Sequence, residues 1–414
     1  MSELHDAIVD PENVAAAFLE VAESIGRKSK TASLRGIDCV DMRGLETEGS
    51  RVVARVREEL ESRTPCRPAI ESKMPKGDGT DRRIFTYSII DRVKARAIER
   101  QLIPDFEARY HTNLYSYRKG RSAHDAVAAV VRRYRKRWTT DFIVRTDIKD
   151  YTDNIDHGEL GATLQTWIEE ADVVDLCRLF VGNGSAKDTS GGMVHERPQR
   201  GLIQGVGLIG QFANVYLSEA DHDLSRCVRV YRRVGDDIVM MDPDRQRIEM
   251  AMGRLEHRCQ RLKLSLSASK TFVGPAGHRF ECLGYQFHDG VVNVKPSSID
   301  DLIRLYRTRL AWTSSPLAGK VRTFERIWKQ NQFELHRKAL DLVFTHRLSR
   351  DVRQLENCSQ ELFRVLTRFF FGRYSPANHR RTIKITAPFP IPSLPRLHHL
   401  ITHGKASYRS LLIP

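Results

Sequence analysis

Apolar positions recur every three to four residues through "PENVAAAFLEVAESI" and "SRVVARVREELESR", which predicts helices across residues 1–62. The period then changes. "KMPKGDGTDRRIFTY" joins a Gly/Asp-rich tip to a β-prone run, the composition of a hairpin. "SIIDRVKARAIERQLIPDFEARY" and "SAHDAVAAVVRRYRKRW" return to helical spacing, and "DFIVRTDI" is an apolar strand ending on Asp147. "LGATLQTWIEEADVVDLCRLFV" reads as helix, and the polar, glycine-rich "GNGSAKDTSGGMVHERPQRG" as a loop. Leu208, Phe212, Val215, Tyr216, Ala220 and Leu224 share a helical face. "CVRVYRRV" and "IVMMD" are strands on either side of a Gly-Asp-Asp turn, and "RIEMAMGRLEHRCQRLKL" is a helix. "HRFECLGYQFHDGVVNVK" predicts a hairpin with Asp-Gly at its tip. From about residue 297 the pattern is helical, with Ser298 as N-cap and Ile299, Leu302, Tyr306 and Leu310 on one face. Residues 386–396, "TAPFPIPSLPR", read as extended.

The middle of the chain therefore runs strand, helix, loop, helix, strand, turn, strand, helix. That order predicts an α+β fold with a small sheet in the split βαβ style and helices packed on one face. Asp147 ends one strand, and Asp236 and Asp237 sit at the turn between two others. Adjacent central strands would bring Asp147 and Asp236 together. Carboxylates that converge repel unless a cation neutralises them. Mg²⁺ takes one or two carboxylates plus substrate phosphates, and two ions about 4 Å apart can activate a hydroxyl and stabilise a leaving pyrophosphate. A polymerase uses these parts, and so do nucleases and other phosphoryl-transfer enzymes. A plain surface turn has the same Gly/Asp composition.

Charge sharpens the choice. The net charge is +15, and residues 301–414 hold 21 Lys and Arg against 7 Asp and Glu. Nearly all the excess lies in the last quarter, where a one-sided positive field suits a polyanion such as nucleic acid. No apolar run approaches the length of a membrane span. The acidic N-terminus lacks a secretory pattern. The seven cysteines have no CxxC spacing, which predicts reduced thiols in a cytoplasmic protein without a structural zinc site.

Several motifs, in order from about residue 15 to about 290, resemble the bacterial reverse transcriptases related to group II intron enzymes. "KMPKGDGTDRRIFTYSIIDRV" resembles the fingers segment, which implies that Lys76 and Arg82 meet the incoming triphosphate. "YSYRKGRSAHDAV" resembles an aromatic–Arg–Pro–Gly–Arg–Ser–Ala–His stretch with Lys119 in place of proline. Arg118, Arg121 and His124 there would support template or fold. "RTDIKDYTDNIDH" resembles the first catalytic motif, with Asp147 and the Ile148 carbonyl as metal ligands and Asp153 and His157 holding its shape. "RGLIQGVGLIGQFANVYL" resembles the second, with Gln204 and Gly205 on the nucleotide and template side, ahead of Asn214. "RVGDD" resembles the metal-binding turn, with Asp236 the second bridging carboxylate and Asp237 less strictly a ligand. "LSLSASKT" places Lys270 as a general acid near the pyrophosphate. "FECLGY" resembles the primer-grip hairpin, matching at Leu283 and Gly284, with Cys282 where an aromatic is common.

The resemblance implies a right-hand polymerase. Its parts would be an N-terminal extension and fingers (1–145), a split βαβ palm (146–295), a helical thumb (296–375) and a basic tail (376–414). The implied cofactor is two Mg²⁺ ions, with Mn²⁺ able to substitute. The implied partners are an RNA template, dNTPs and a DNA product, with no membrane. A homo-oligomer or a protein partner stays open. Arg304, Arg307, Lys320, Arg322, Lys329, Arg380 and Arg381 are candidates to grip the template–primer phosphates.

This chain departs from the pattern at Ile209-Gly210, usually Ser-Pro, at Val234, usually an aromatic, and at Thr152, usually Phe or Tyr. A ring at 152 excludes a 2′-hydroxyl, so Thr152 predicts weaker discrimination against ribonucleotides unless Tyr151 or another side chain fills the space. No ribonuclease H or zinc-bearing endonuclease module is expected after the thumb. The nearest biology is that of the standalone defence-associated enzymes, which use a companion noncoding RNA. An intron-type maturase, an RNA-dependent RNA polymerase and an inactive RNA-binding scaffold are the alternatives.

Overall fold

The computed structural model describes residues 2–28, 42–75, 81–189, 192–196, 198–310, 317–346, 348, 352–387 and 393–403. The chain divides into two compact units, Met1–Ala126 with Phe142–Val273, and Val127–Asp141 with Gly274–Pro414. Its strands in chain order are β1 (Ala69–Pro75), β2 (Asp81–Thr86), β3 (Phe142–Asp147), β4 (Ser185–Thr189), β5 (Gly192–Glu196), β6 (Val230–Val234), β7 (Asp237–Asp242), β8 (Phe272–Pro275), β9 (Phe280–Cys282), β10 (Tyr285–His288) and β11 (Val291–Val294).

In the first unit the amphipathic N-terminal segments form helices Glu3–Val9, Pro11–Lys28 and Met42–Glu61. Their apolar faces join a core with Ile98, Leu102 and Phe106 of helix Ile89–Arg109. One sheet has the order β2–β1–β4–β5. The segment read as a glycine-rich loop thus contains a hairpin, β4 and β5. β1 presents a strand edge whose polar backbone needs partners. β4 meets it in parallel, with Ala69 opposite Ser185 and Ile70 opposite Ala186. Lys187 then bridges Glu71 of β1 at 3.5 Å and Glu196 of β5 at 3.1 Å. Only Ser185 and Ala186 are buried among the described positions of β4 and β5, and residues 194–196 are exposed, so no alternating apolar pattern marks these strands.

The second sheet has the order β6–β7–β3–β8. β3 and β7 are antiparallel neighbours, with Asp147 opposite Asp237 and Phe142 opposite Asp242. Ile238, Met240, Leu208, Phe212, Leu224 and Leu255 are buried in the same core, which packs this sheet against its helices. The apolar face from 208 to 224 is carried by two helices, Gly207–Tyr216 and Ser218–Cys227, that meet at Leu217. Both bury it, so the pattern runs through the break. These observations make the chain α+β, with the central strands β3 and β7 adjacent.

In the second unit β9, β10 and β11 form an antiparallel meander. Its tips are two-residue turns with positive φ at both positions. These are Leu283 (48°) with Gly284 (84°), and Asp289 (45°) with Gly290 (77°), as an Asp-Gly hairpin requires. Helices Pro296–Arg309, Leu317–His346, Arg353–Phe371, Pro376–Thr386 and Leu394–Thr402 follow. Leu302, Tyr306, Leu310, Phe324, Trp328, Leu362 and Phe369 are in their core. The first of these helices is capped at Lys295, not at Ser298, because Pro296 presets the helical φ of the first turn. The segment expected to be extended gains a helix from Leu394, with Pro395 in its first turn. No helix among the described residues is long and apolar enough to cross a membrane. The six described cysteines are free and buried.

Candidate active site

The first unit brings together Asp147, at the end of β3, and Asp236 and Asp237, at the β6–β7 turn. Gly235 has φ +64°, a conformation that favours glycine, and lets the turn reverse tightly. The Ile148 N–H donates to the Asp236 carbonyl at 3.3 Å, which locks turn and strand end together. Beneath them Arg233 is fully buried. It makes a 2.6 Å ion pair with the equally buried Asp221 and donates to the Asn214 and Gly235 carbonyls at 3.1 Å each. The turn therefore stands on a charged post that sequence reasoning missed. The available signal was a charged residue at a position of β6 whose neighbours alternate into the core.

The three carboxylates differ in their surroundings. Arg145 Nη2 is 3.0 Å from Asp237 Oδ1, and Arg145 also donates to the Lys270 carbonyl at 2.7 Å. Arg145 lies opposite Val239, so Asp237 is its diagonal neighbour across the sheet. Lys270 Nζ is 2.9 Å from Asp147 Oδ1, a bond that raises the lysine pKa by favouring its charged form. Burial pushes the Asp236 carboxyl up to about 6, and the Asp147 charge adds to the rise. Asp237 is also raised by burial, with Arg145 opposing.

Among the described residues, no three His, Cys, Asp or Glu side chains are grouped to hold a metal ion. Lys270 pairs with Asp147 as Arg145 pairs with Asp237, but of the three carboxylates Asp147 and Asp236 are the two that line one cavity and can face a cation together. Two carboxylates with remaining ligands from substrate phosphate and water is the donor set Mg²⁺ accepts. The burial and the Asp147 charge that raise Asp236 are what a cation there would offset. The residues present fit a divalent metal.

Asp147, Asp236 and Lys270 line a polar cavity of about 510 Å³, with Arg82, Thr152 and Gln204 on its other walls. Gln204 Nε2 donates to Thr152 Oγ1. Gly205 has φ +142°, and a Cβ there would lie 2.7 Å from the Phe85 carbonyl oxygen, so this loop must pass β2 as bare backbone. His157 Nε2 pairs with the Gly201 carbonyl at 2.7 Å, and Asn214 Nδ2 donates to the Ser116 carbonyl at 2.8 Å. Burial raises the Asp153 carboxyl. Lys76 lies outside the described residues.

The remaining candidates divide by environment. Arg118 is taken up by the fold: it pairs with Glu107 at 2.6 Å, donates to the His111 and Leu114 carbonyls, and covers the Tyr110 ring. Arg121 donates to the Thr112 carbonyl at 2.6 Å and lies over Tyr115. In the second unit, Leu283 and Gly284 form the β9–β10 turn. Arg304, Arg307, Arg322, Arg380 and Arg381 are exposed, Arg304 beside Asp301 and Arg381 over the Phe371 ring. Lys320 is not a surface cation. It is 6% exposed, and its ammonium donates at 3.4 Å to the Phe370 carbonyl in the last turn of helix Arg353–Phe371, where the helix dipole favours a positive charge. The Lys329 side chain lies outside the described residues.

The family model described as reverse transcriptase (RNA-dependent DNA polymerase) matches residues 74–287. The chain belongs to the reverse transcriptase family. The matched segment contains the whole cluster just described. Protein YkfC of Escherichia coli (strain K12) is 26% identical over 214 residues, 50% of this chain and 54% of that protein. The chain thus spans about half the length of the curated relative it matches. Similar solved structures include telomerase from Candida albicans with a fragment of telomeric RNA, at 13% identity and TM-score 0.46, covering 82% of this chain and 70% of that one. Apo telomerase from Candida tropicalis gives 12% identity and TM-score 0.49, covering 85% of this chain and 68% of that one. Likenesses this loose identify neither substrate nor partner.

Proposed function

We propose that this reverse transcriptase family member is an active RNA-directed DNA polymerase working by two-metal nucleotidyl transfer. The observation that carries the reading is the convergence of Asp147 and Asp236 at adjoining strand ends, on the wall of a polar cavity inside the family-matching segment. The primer 3′-oxygen bonds to the α-phosphorus of a dNTP, and pyrophosphate leaves. Asp147 and Asp236, with the Ile148 carbonyl, would hold two Mg²⁺ or Mn²⁺ ions, and Asp237 would act beside them. When bound, the ions supply Lewis-acid activation of the hydroxyl and neutralise charge on the leaving group. Arg82 and Lys76 bind the triphosphate, and Gln204 and Gly205 shape the nucleotide and template side. Lys270 Nζ carries the proton available to the pyrophosphate.

Within the proposed anatomy, residues 1–145 act as extension and fingers, 146–295 as palm, 296–375 as thumb and 376–414 as basic tail. The exposed arginines of the second unit meet template–primer phosphates. The departures at Lys119, Ile209-Gly210 and Val234 support a standalone enzyme copying a companion noncoding RNA in anti-phage defence over an intron maturase. Two measurements test these readings. Extension of a DNA primer on an RNA template with Mg²⁺ should be abolished by Asp236→Ala, and activity that survives that change would sink the polymerase reading. Sequencing the nucleic acid that copurifies should return one structured RNA with complementary DNA; intron RNA would favour the maturase.

A further inference from the structure

We propose that Tyr117 is a specificity-determining residue of this centre, its exposed ring forming the aromatic wall against which the nucleotide at Asp147 and Asp236 packs. The proposal deepens the polymerase reading and rests on it.

Three aromatic residues line the cavity among the described residues, Phe85, Tyr117 and Tyr151. Phe85 is buried. Tyr151 is 4% exposed and spends its hydroxyl on the Ala213 carbonyl, so it does not fill the space beside Thr152. Tyr117 is 55% exposed. An apolar ring left open on the wall of an otherwise charged cavity offers a surface for a sugar or base, since every base has a π-face to stack.

The backbone holds that ring in place. Tyr117 has φ +53°, a region that residues other than glycine adopt rarely and that concentrates at functional sites. Two buried side chains of helix Gly207–Tyr216 clamp it there. Gln211 Nε2 donates to the Tyr117 carbonyl at 2.9 Å, and Asn214 both donates to the Ser116 carbonyl and accepts from Ser116 Oγ at 2.9 Å. The ring then lies directly on Gly210. A Cβ at 210 would be 2.5 Å from Tyr117 Cδ1 and 2.6 Å from Cγ. The family pattern also has an aromatic at 117, so the departure is at Gly210 alone. Without a Cβ there, the Tyr117 ring settles onto helix Gly207–Tyr216 in this position.

The test is steady-state extension of one primer on one RNA template, with matched dNTP and rNTP and each variant's melting temperature. Tyr117→Ala should raise the dNTP KM about tenfold and narrow the dNTP-to-rNTP preference. Tyr117→Phe, which keeps the ring, should recover most of the loss. Gly210→Ala, which displaces the ring without altering it, should follow Tyr117→Ala. Wild-type KM and preference in a folded Tyr117→Ala or Gly210→Ala protein would overturn the proposal, as would a fall in kcat and melting temperature with KM unchanged. If extension survives Asp236→Ala, or the wild type extends nothing, the polymerase reading itself fails and this one with it. Loss in Asp236→Ala beside an unaltered Tyr117→Ala removes the Tyr117 role alone.

Discussion

Arg145 holds Asp237 through a 3.0 Å ion pair, and this distinguishes two aspartates that are adjacent in sequence. Asp237 has a cation of its own. Asp236 shares its surroundings with Asp147 and is pushed up to about 6 by burial and that neighbouring charge. The turn thus presents one carboxylate to the cavity and anchors the other to β3.

The consequence is a hierarchy among the carboxylates. Asp147→Ala and Asp236→Ala should each abolish primer extension, a loss of at least about a thousandfold or roughly 4 kcal/mol of transition-state stabilisation. Asp237→Asn keeps a polar group beside Arg145 and should lose only about tenfold. Single-turnover rates on one primer–template check the order. Equal losses at 236 and 237 would count against it.

Burial of the Asp236 charge, and its repulsion by Asp147, oppose folding in the absence of metal. Asp236 has its folded pKa raised from an ordinary 3.8 to about 6, so the folded chain binds that proton more tightly than the unfolded one. The associated stability is fully present below the ordinary value and is lost as pH rises through about 6. Asp236→Asn removes the charge permanently. In EDTA at pH 8 it should be more stable than wild type by about 1–2 kcal/mol, after allowance for solvent screening. The difference should shrink toward pH 4. Mg²⁺ should raise the melting temperature of the wild type and leave that of Asp236→Asn nearly unchanged, as calorimetry would show.

These relationships were unequally legible in the sequence. Asp147 and the Gly-Asp-Asp turn stood out because strand periodicity is local and because they fall within an ordered set of motifs that resembles a known family. Element order suggested that Asp147 would meet Asp236 if the central strands were neighbours; the register that sets Asp147 opposite Asp237 comes from the structure. Arg145 had a faint signal, since it lies two residues before Asp147 and so on the same strand face. Charges whose meaning depends on distant partners were not legible. The partner of Arg118 is Glu107, that of Arg233 is Asp221, and that of Lys320 is a carbonyl at Phe370. Composition marks all three as surface cations, and tertiary packing internalises them. The β4–β5 hairpin was missed for a related reason: the edge of β1, not its own apolar content, makes it a strand.

Arg233 gives a test of the buried post. Arg233→Met would strand the Asp221 carboxylate without its partner, which costs about 3–5 kcal/mol for a buried pair. It would also remove the donor to the Gly235 carbonyl and loosen the turn bearing Asp236. Urea melts should show the stability loss, and the rate of a still-folded fraction should fall with it. Arg233→Met combined with Asp221→Leu should recover much of the stability but not the rate, because only the charge problem is solved.

Lys320 and Arg322 are two residues apart and lie in opposite environments, which turns the phosphate-binding proposal into a paired test. Arg322 is exposed and carries a charge free to displace a counterion from nucleic acid. Each lost phosphate contact should reduce the slope of log affinity against log salt by about 0.9 on a B-form duplex. Arg322→Ala and Arg307→Ala should therefore weaken duplex binding and flatten its salt dependence while leaving the melting temperature near wild type. Lys320→Met should do the reverse, because its ammonium serves a helix end inside the second unit. Its salt slope should match the wild type, and its stability should change. Fluorescence anisotropy with an RNA–DNA duplex between 50 and about 200 mM salt reads both arms. A flattened slope in Lys320→Met would return that lysine to the surface, and an unchanged slope in both arginine variants would remove this unit from the binding site.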